Sequence, residues 1–448
     1  MKRERKTWNV GTLTYGASGI IALFFWLLWG DFAWSLKERS VVTMGLLLLK
    51  RYEASDLLTG VLIGTLPHAI AIFLQPIVSY RSDRHRGRWG RRLPYLIWTA
   101  PIAILGMVGL GYSSQLASVI HRLLALQSPG LNPLAQGVFA LSWTVFEFGT
   151  LAANVIFLGL INDVVPSGLI GRFFGLFRAV SLIAGIVFNY WVLGYAEVHF
   201  KLIFLVIGSI YGVGFLAMCF RVKEGAYPAP SYPEDAKGFV PAARLYMRQC
   251  FSNPYYIWLL VGYNLCFVAF VAVNLYSVFY AKTFAMDMGG FGRLVALTYV
   301  ISLGLSYFVG ALADRFHPLR VGMVISSAYA FLALWSWLYI SSAFTFSIAF
   351  VANGVLAGAF FTSTASIGQR LFPKHQFAQF YSALMIVQSA GIMVMPIILG
   401  SILDRSHHDY GLTFLAAGIL SIAGVAVCIR VHSDFIKLGG PENYQAPE

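Results

Sequence analysis

The chain is 448 residues long, and 58% of its residues are hydrophobic whereas only 11% are charged. Soluble domains carry roughly 25% charged residues, so this composition excludes a string of soluble domains and places nearly the whole chain in a lipid bilayer. The formal charge of +13 would indicate nucleic acid in a soluble protein, but here it has to be judged by where the basic residues lie relative to the membrane.

Twelve apolar segments, separated by charged or Pro/Gly-rich breaks, predict twelve membrane helices. The basic start of the chain resembles that of a signal peptide. The apolar run after it is too long, however, and has no small-residue cleavage site, so we expect a cytoplasmic tail and a retained first span. The predicted spans are 18–49, 57–80, 93–113, 134–161, 172–194, 199–220, 256–281, 291–312, 320–341, 343–369, 377–402 and 410–430.

The first span contains three consecutive charged residues, Lys37, Glu38 and Arg39. Either the helix stops near Leu36 and Glu38 is a surface charge, or one long tilted helix carries all three charges at mid-depth. We favour the long helix, because the polar residues 50–53 form a natural end and leave a short turn into the second span.

The basic residues are distributed unevenly between the two sides of the predicted membrane. With the N-terminus inside, 22 of the 32 Lys and Arg residues fall on the cytoplasmic side, seven fall outside and three lie within spans. This asymmetry predicts cytoplasmic N- and C-termini in an integral protein of a bacterial inner membrane, and it argues against a nucleic-acid partner.

The two halves of the chain are similar to each other in sequence pattern. A hydrophilic cytoplasmic linker at 221–255 separates a six-span half (1–220) from a second one (256–430), and a cytoplasmic tail follows at 431–448. The Asp-Arg pair at 83–84 recurs at 314–315, and residues 113–133 form an insertion that we interpret as a short amphipathic helix. Two six-span halves predict an all-α transporter built from repeats, with its binding site at their interface.

The segment between the second and third spans carries a family resemblance. Its Asp-Arg pair, followed by further basic residues and repeated in the second half, resembles the signature of the major facilitator superfamily. Residues 75–94 are similar to the segment shared by sucrose–proton symporters and glycoside–pentoside–hexuronide cation symporters. The resemblance implies the major facilitator fold, cation-driven sugar transport, and salt bridges that latch one conformation. The implied latch residues are Asp83, Arg84, Arg88, Arg91, Arg92, Asp314 and Arg315. As the alternative, Arg86, Arg88 and Arg92 are positive-inside anchors.

Spans 1 and 4 add to the similarity with sugar symporters. Asp31, between Gly and Phe, is similar to an acid that binds sugar in melibiose-type permeases. Glu147 lies sixteen residues before Asp163, a spacing similar to that of the acid pair in helix 4 of plant sucrose symporters. Two positions depart from the pattern: Ser79 replaces the usual glycine, and Gln75 stands where sodium-coupled members carry an Asp. The second departure disfavours a sodium site of that type, so we expect H⁺ as the coupling cation.

Six charged residues fall within the predicted spans away from the span ends, and all six lie in the first half. A lone charge at mid-bilayer costs roughly 2.5–3.5 kcal/mol, so such residues are expected to face a cavity and to pair. A buried carboxylate beside a movable cation can take up a proton and release it on opening, whereas a permanent structural ion pair is the alternative. The candidate coupling acids are Glu147, Asp31 and Glu38, and their candidate charge partners are Arg178 (beside Glu147), Lys37 and Arg39.

The spans of the second half offer amides, hydroxyls and aromatic rings instead of charges. Amides donate and accept hydrogen bonds and rings cover the C–H side of a sugar, so this set suits a neutral saccharide. An anionic substrate would need Lys37, Arg39 or Arg178 to be unpaired, and interfacial packing is the alternative for any single ring. The candidate substrate-binding residues are Asp31, Trp34, Asn264, Asn274, Asn353 and Gln388.

The leading hypothesis is therefore proton-coupled symport of a sugar or glycoside by a monomeric carrier. The alternatives are a major facilitator carrier for another small solute (an organic acid, a nucleoside or a drug) and a non-transporting sensor on the same scaffold. No nucleophile–base constellation, nucleotide loop, Cys-x-x-Cys pair or metal-ligand spacing is present in the sequence, so we expect no enzyme, cofactor, metal or disulfide framework. The Gly-x-x-x-Gly pairs at 208–212 and 354–358 are expected to be close-packing positions.

Overall fold

The structure, a computed structural model, describes residues 7–166, 169–226, 248, 250–373 and 377–447. Most of the predicted linker lies outside these residues. The described chain is helical apart from an antiparallel hairpin formed by β1 (Trp8–Val10) and β2 (Leu13–Tyr15). The chain divides into two compact units: unit 1 comprises Met1–Ser55 and Leu66–Ser231, and unit 2 comprises Asp56–Thr65 and Tyr232–Glu448.

The helices up to residue 221 follow the predicted spans closely. In unit 1, the first helix packs against the last two of these helices, and the fourth packs against the sixth and the eighth. In chain order they are α1 (Ala17–Arg51), α2 (Asp56–Thr59), α3 (Leu66–Arg84), α4 (Leu93–Gly111), α5 (Ser113–Leu124), α6 (Leu131–Val164), α7 (Ile170–Val187) and α8 (Ala196–Arg221).

The helices of the second half continue this pattern. In unit 2, the first and third of these helices pack against the long C-terminal helix. In chain order they are α9 (Pro254–Thr283), α10 (Met288–Phe316), α11 (Pro318–Tyr339), α12 (Ala343–Thr364), α13 (Ile367–Leu371), α14 (Phe377–Arg405), α15 (Gly411–Lys437) and α16 (Gly440–Asn443).

Eleven continuous helical stretches among the described residues are long and apolar enough to cross a membrane. One of them, Phe173–Arg221, is 49 residues long and holds the predicted fifth and sixth spans. A π-helical segment (Phe188–Val192) and a 3₁₀ turn (Leu193–Tyr195) divide it into α7 and α8. The predicted all-α membrane architecture is therefore confirmed, and the chain is an integral membrane protein.

Helix α1 confirms the long form of the first span, because it continues without a break from Ala17 to Arg51 over 35 residues. The predicted amphipathic helix of the insertion is also present, as α5. The hairpin before α1 was not predicted, since strands of three residues leave too little pattern in a sequence to be recognised.

Glycines on α8 and α12 let neighbouring helices approach closely. A Cβ atom on Gly212 would lie 2.8 Å from Ile104 of α4, and one on Gly358 would lie 2.8 Å from the Ser302 hydroxyl of α10. Both distances are shorter than normal van der Waals contact. These glycines are close-packing positions, as the sequence predicts.

A buried histidine begins α11. The side chain of His317 accepts a hydrogen bond from the Leu319 N–H at 3.3 Å, and its ring lies 4.6 Å from that of Phe435. Because Nδ1 is the acceptor, the cap requires a neutral imidazole. Burial lowers the pKa of His317 to about 4, and the positive charges of Arg370 and Arg320 act in the same direction.

We expect the stability of unit 2 to fall as the pH drops from about 6.5 towards 4. In this pH window His317 binds a proton in the unfolded state but not in the folded state, so acid favours unfolding. Above a pH of about 6.5 the contribution of His317 to folding stability is fully present. His317→Asn keeps a capping oxygen and tolerates the positive φ of 79°. Melting temperatures of the purified native protein and of His317→Asn should therefore depend differently on pH across this range. Equal pH slopes would contradict the assignment.

Candidate functional site

Unit 1 holds a buried lysine in an aromatic cage. Lys37 on α1 is fully buried, and its ammonium lies 3.6 Å from the centre of the Trp34 ring and 5.1 Å from that of Tyr211 on α8. Phe146 on α6 adds a third ring at 5.4 Å. The ammonium also donates a hydrogen bond to the Thr150 hydroxyl at 3.2 Å. Contacts of a desolvated cation with aromatic rings stabilise it by up to about 2 kcal/mol each, which offsets part of its lost hydration.

Two acids act on this ammonium without touching it. Glu147, on α6, is only 6% exposed and interacts electrostatically with Lys37 and Glu38. Glu38 is exposed and accepts a hydrogen bond of 3.0 Å from the Trp34 indole. Among the described residues, no ion pair within 4.0 Å joins Lys37 to a carboxylate. Glu147 and Lys37 are therefore close enough to interact electrostatically, but no direct contact holds the two side chains together.

Several buried polar atoms around the cage have no hydrogen-bond partner among the residues that the structure describes. Asp31 is fully buried; its Oδ1 accepts a hydrogen bond of 3.2 Å from Ser35, whereas its Oδ2 has no partner within the described chain. The Tyr211 hydroxyl and the Trp143 indole N–H are in the same situation. Because buried polar groups are nearly always hydrogen-bonded, such atoms indicate a place for water, a proton or a solute.

The arginines of α1 and α7 lie beside each other. Arg39 donates a hydrogen bond to the Ser181 hydroxyl at 3.3 Å, and Arg178, which is exposed, interacts electrostatically with Arg39. Of the candidate charge partners, Lys37 interacts electrostatically with Glu147.

A second charged cluster joins the ends of α3 and α6 to the start of α4. Asp163 accepts two hydrogen bonds from the Arg91 guanidinium, at 3.0 and 2.6 Å, and one from Arg92 at 3.0 Å. Arg92 also lies 2.6 Å from the carboxylate of Asp83 and donates to the Ser82 hydroxyl at 2.9 Å. Three predicted latch residues therefore hold helices of unit 1 together, and Asp163 is their shared partner.

Glu224 completes this cluster from a distant part of the chain. Its carboxylate accepts hydrogen bonds from the backbone N–H groups of Arg91, Arg92 and Leu93 at 2.7–3.0 Å. These donors begin α4, so Glu224 satisfies N–H groups that have no partner within the helix. The sequence analysis missed this role because no local capping pattern links residues 131 or more positions apart.

Replacing Glu224 with alanine is expected to destabilise unit 1 by about 1–2 kcal/mol, because three N–H donors at the start of α4 lose a charged acceptor. Glu224→Gln keeps one acceptor oxygen and should lie between alanine and the native protein. Urea-dependent unfolding in detergent measures the difference. An alanine variant as stable as the native protein would show that water replaces the cap.

The corresponding residues of unit 2 form a weaker contact. Asp314 lies 2.7 Å from the guanidinium of Arg370, and both side chains are largely exposed. Arg315 lies with its guanidinium 5.2 Å from the centre of the Phe316 ring. In unit 1, Arg84 follows Asp83 on α3 and Arg88 is exposed in the following loop. Of the predicted latch residues, those in the described ion pairs are Asp83, Arg91, Arg92 and Asp314.

The candidate substrate residues of unit 2 form two groups. The buried side chain of Asn353 donates a hydrogen bond to the side-chain oxygen Oδ1 of Asn274 at 3.0 Å and accepts one from the Tyr329 hydroxyl at 2.8 Å. Asn274 itself is exposed. Asn353 is therefore a positioning residue behind Asn274. In the other group, Gln388 is buried and interacts with the side chain of Tyr263. The carbonyl oxygen of Asn264 is buried without a partner in the described chain.

Unit 2 also contains a cluster that the sequence analysis did not predict. Asp56, Asp404 and His408 bring three possible metal ligands within 4.8 Å of one another. Their atoms already have partners: Asp56 Oδ2 lies 2.6 Å from His408 Nδ1, and Asp404 accepts from the N–H groups of Asp56 and Leu57 at 2.7 and 2.9 Å. The cluster is thus a hydrogen-bonded cap on the start of α2.

Parts of the chain are similar in sequence to known proteins. Residues 265–438 match the Major Facilitator Superfamily model. The chain is 26% identical over 202 residues to the lysosomal dipeptide transporter MFSD1 of Bos taurus, a match that covers 44% of this chain and 41% of the relative. The curated relative is thus matched over about two fifths of its length.

Two solved structures share the fold along nearly their whole length. One is a bacterial homologue of the human lysosomal transporter Spinster, with a TM-score of 0.66 at 13% identity, covering 96% of this chain and 98% of the other. The second is a D-xylose–proton symporter, with a TM-score of 0.64 at 13% identity and coverage of 91% and 97%. The chain therefore has the major facilitator fold of membrane transporters, and its residues 265–438 carry the sequence pattern of that superfamily.

Proposed function

We propose that the chain is a secondary transporter that couples the movement of a small polar solute to protons. The observation that carries the proposal is the Lys37 ammonium, which is fully buried beside Glu147 with no carboxylate in direct contact among the described residues. Glu147 acts as the proton carrier and Lys37 as its countercharge. Asp31, one of whose oxygens has no partner within the described chain, is a second protonation site.

The coupling follows from electrostatics in a medium of low dielectric constant. When Glu147 is ionised, it attracts Lys37 and the two charges neutralise each other. When Glu147 is protonated, the aromatic rings and the Thr150 hydroxyl stabilise the charge of Lys37 without a neighbouring negative charge from Glu147. Proton binding therefore changes the charge of the site by one unit. A carrier needs such a change, because it makes the stability of each conformation depend on protonation.

A saccharide or glycoside is the proposed solute. The similarity of residues 75–94 to sugar symporters supports this class, and so does the polar group in unit 2, where Asn353 orients the exposed Asn274 amide. Amides of this kind recognise hydroxyl groups. One face of the Trp34 ring is covered by the Lys37 ammonium, which lies 3.6 Å from the ring centre.

A solute with a carboxylate, such as a dipeptide, is the second candidate. In the described chain no carboxylate contacts Lys37, and an anionic substrate would need such a base. In addition, the chain is similar to a lysosomal dipeptide transporter over 202 residues. If the carboxylate of the solute binds Lys37, Lys37→Gln is expected to raise the KM for that solute by about 30-fold or more, because a buried charge pair loses one partner. For a glycoside the KM in counterflow should stay within about threefold of the native value, since no charge is recognised.

Uptake into proteoliposomes tests the proposal. Purified protein is exposed to labelled mono- and disaccharides and to dipeptides, with and without an inward proton gradient, and empty liposomes serve as the control. We expect one class to accumulate only with the gradient and to be released by a protonophore. Uptake of neither class, or accumulation that ignores the gradient, would contradict the proposal.

A further inference from the structure

A groove between the start of α4 and the end of α8 in unit 1 has no assigned role. It encloses about 800 Å³, within the roughly 300–1,000 Å³ typical of small-molecule sites. Residues 86–90 and 222–226 form its rim, and Leu93, Ile97 and Phe220 line its wall. All of these residues belong to unit 1, so the groove does not depend on the arrangement of the two units.

The rim of the groove is strongly basic. Arg86, Arg88 and Lys223 line it together with a single acid, Glu224. The Glu224 carboxylate is occupied by three backbone N–H groups at the start of α4. The neighbouring acids Asp83 and Asp163 are held in ion pairs with arginines. The rim of the groove therefore carries more positive than negative charge, and two of its cations, Arg88 and Lys223, are exposed.

The wall of the groove is apolar and partly exposed. Trp89 is 56% exposed and Phe220 is 63% exposed, and their rings meet edge to face at 6.3 Å. Leu93 and Ile97 continue this surface along α4. A site with cations at its rim and rings along its wall matches an amphiphile with an anionic head, and exposed tryptophan is typical of the membrane interface.

We propose that this groove binds an anionic phospholipid. The phosphate group contacts Arg88 and Lys223, both exposed, and an acyl chain lies against Phe220 and Ile97. The positive-inside pattern predicts that this end of unit 1 faces the cytoplasm, where anionic lipids attract basic residues between membrane helices. The proposal does not depend on which solute is carried.

Fluorescence quenching by brominated lipids tests the proposal on the full-length protein. The signal of Trp89 is the difference between the native protein and Trp89→Phe. We expect brominated phosphatidylglycerol to quench it at lower concentration than brominated phosphatidylcholine, and Arg88→Gln with Lys223→Gln to weaken that preference by about tenfold. The matched control, Arg315→Gln with Lys437→Gln, makes the same charge change elsewhere and should leave the preference intact.

Four outcomes would overturn the proposal. Equal quenching by the two lipids shows that the groove has no anion preference, and loss of the preference on adding excess inorganic phosphate shows a site for free phosphate. A preference that appears only in Glu234→Gln with Asp235→Asn shows that the linker is the occupant. Finally, an unchanged preference in the Arg88 and Lys223 variant, with an unchanged melting temperature, shows that the charge lies elsewhere.

Discussion

Proton-driven accumulation of solute is expected to disappear when Glu147 is replaced with glutamine. The amide keeps the size of the side chain but can neither take up nor release a proton, so the buried site of Lys37 keeps one charge state. A pH gradient of one unit stores about 1.4 kcal/mol per proton and supports about tenfold accumulation. The variant should reach a ratio of about one, while the native protein approaches the tenfold limit.

Counterflow separates loss of coupling from loss of transport. Exchange of labelled for unlabelled solute needs no net proton movement, so Glu147→Gln should still catalyse it. Glu197→Gln, which changes an exposed acid at the start of α8, is the matched control and should accumulate solute normally. If the Glu147 variant still accumulates solute against its gradient, Glu147 is not the coupling residue.

The largest loss of stability is expected for Asp163→Asn. Asp163 binds two arginines through three hydrogen bonds of 2.6–3.0 Å, and its side chain is only 13% exposed. Without the carboxylate, Arg91 and Arg92 face each other with too little negative charge between them. Removing one partner of a buried pair costs about 3–5 kcal/mol, and partial exposure reduces this to about 2–3 kcal/mol here.

Asp314→Asn is the control for this substitution. It removes the same charge from a single ion pair with Arg370, whose side chains are 75% and 37% exposed. Exposed pairs contribute about 0–1 kcal/mol, so this variant should melt close to the native protein. Melting temperatures of both variants in one detergent give the comparison. Equal shifts would show that the cluster around Asp163 is no stronger than a surface ion pair.

Length and apolarity were enough to predict the helices. A span must bury its backbone hydrogen bonds within itself, so every segment of about 20 apolar residues is helical, whatever its neighbours. The polar residues 50–53 predicted the end of α1, and the helix does run through Lys37, whose side chain reaches Thr150 on a neighbouring helix. The hairpin at Trp8–Val10 and Leu13–Tyr15 has no comparable constraint and was missed.

The partners of the charged residues were harder to predict. The sequence indicates that Lys37 and Glu147 are buried charges, but the contacts of Lys37 depend on how α1, α6 and α8 are rotated. That rotation brings Thr150 and Tyr211 to the ammonium, and neither residue carries a sequence signal of its own. Glu224 was missed for a related reason, since its role requires the chain to return to the start of α4 after α8.

Calorimetric titration in buffers of different ionisation enthalpy tests the proposed coupling most directly. The observed heat of solute binding changes with the buffer only if binding takes up or releases protons. The native protein is expected to show such a dependence near neutral pH, and Glu147→Gln is expected to lose it while still binding the solute. A native protein whose heat of binding is the same in every buffer, or a variant with an unchanged dependence, would contradict the role of Lys37 and Glu147.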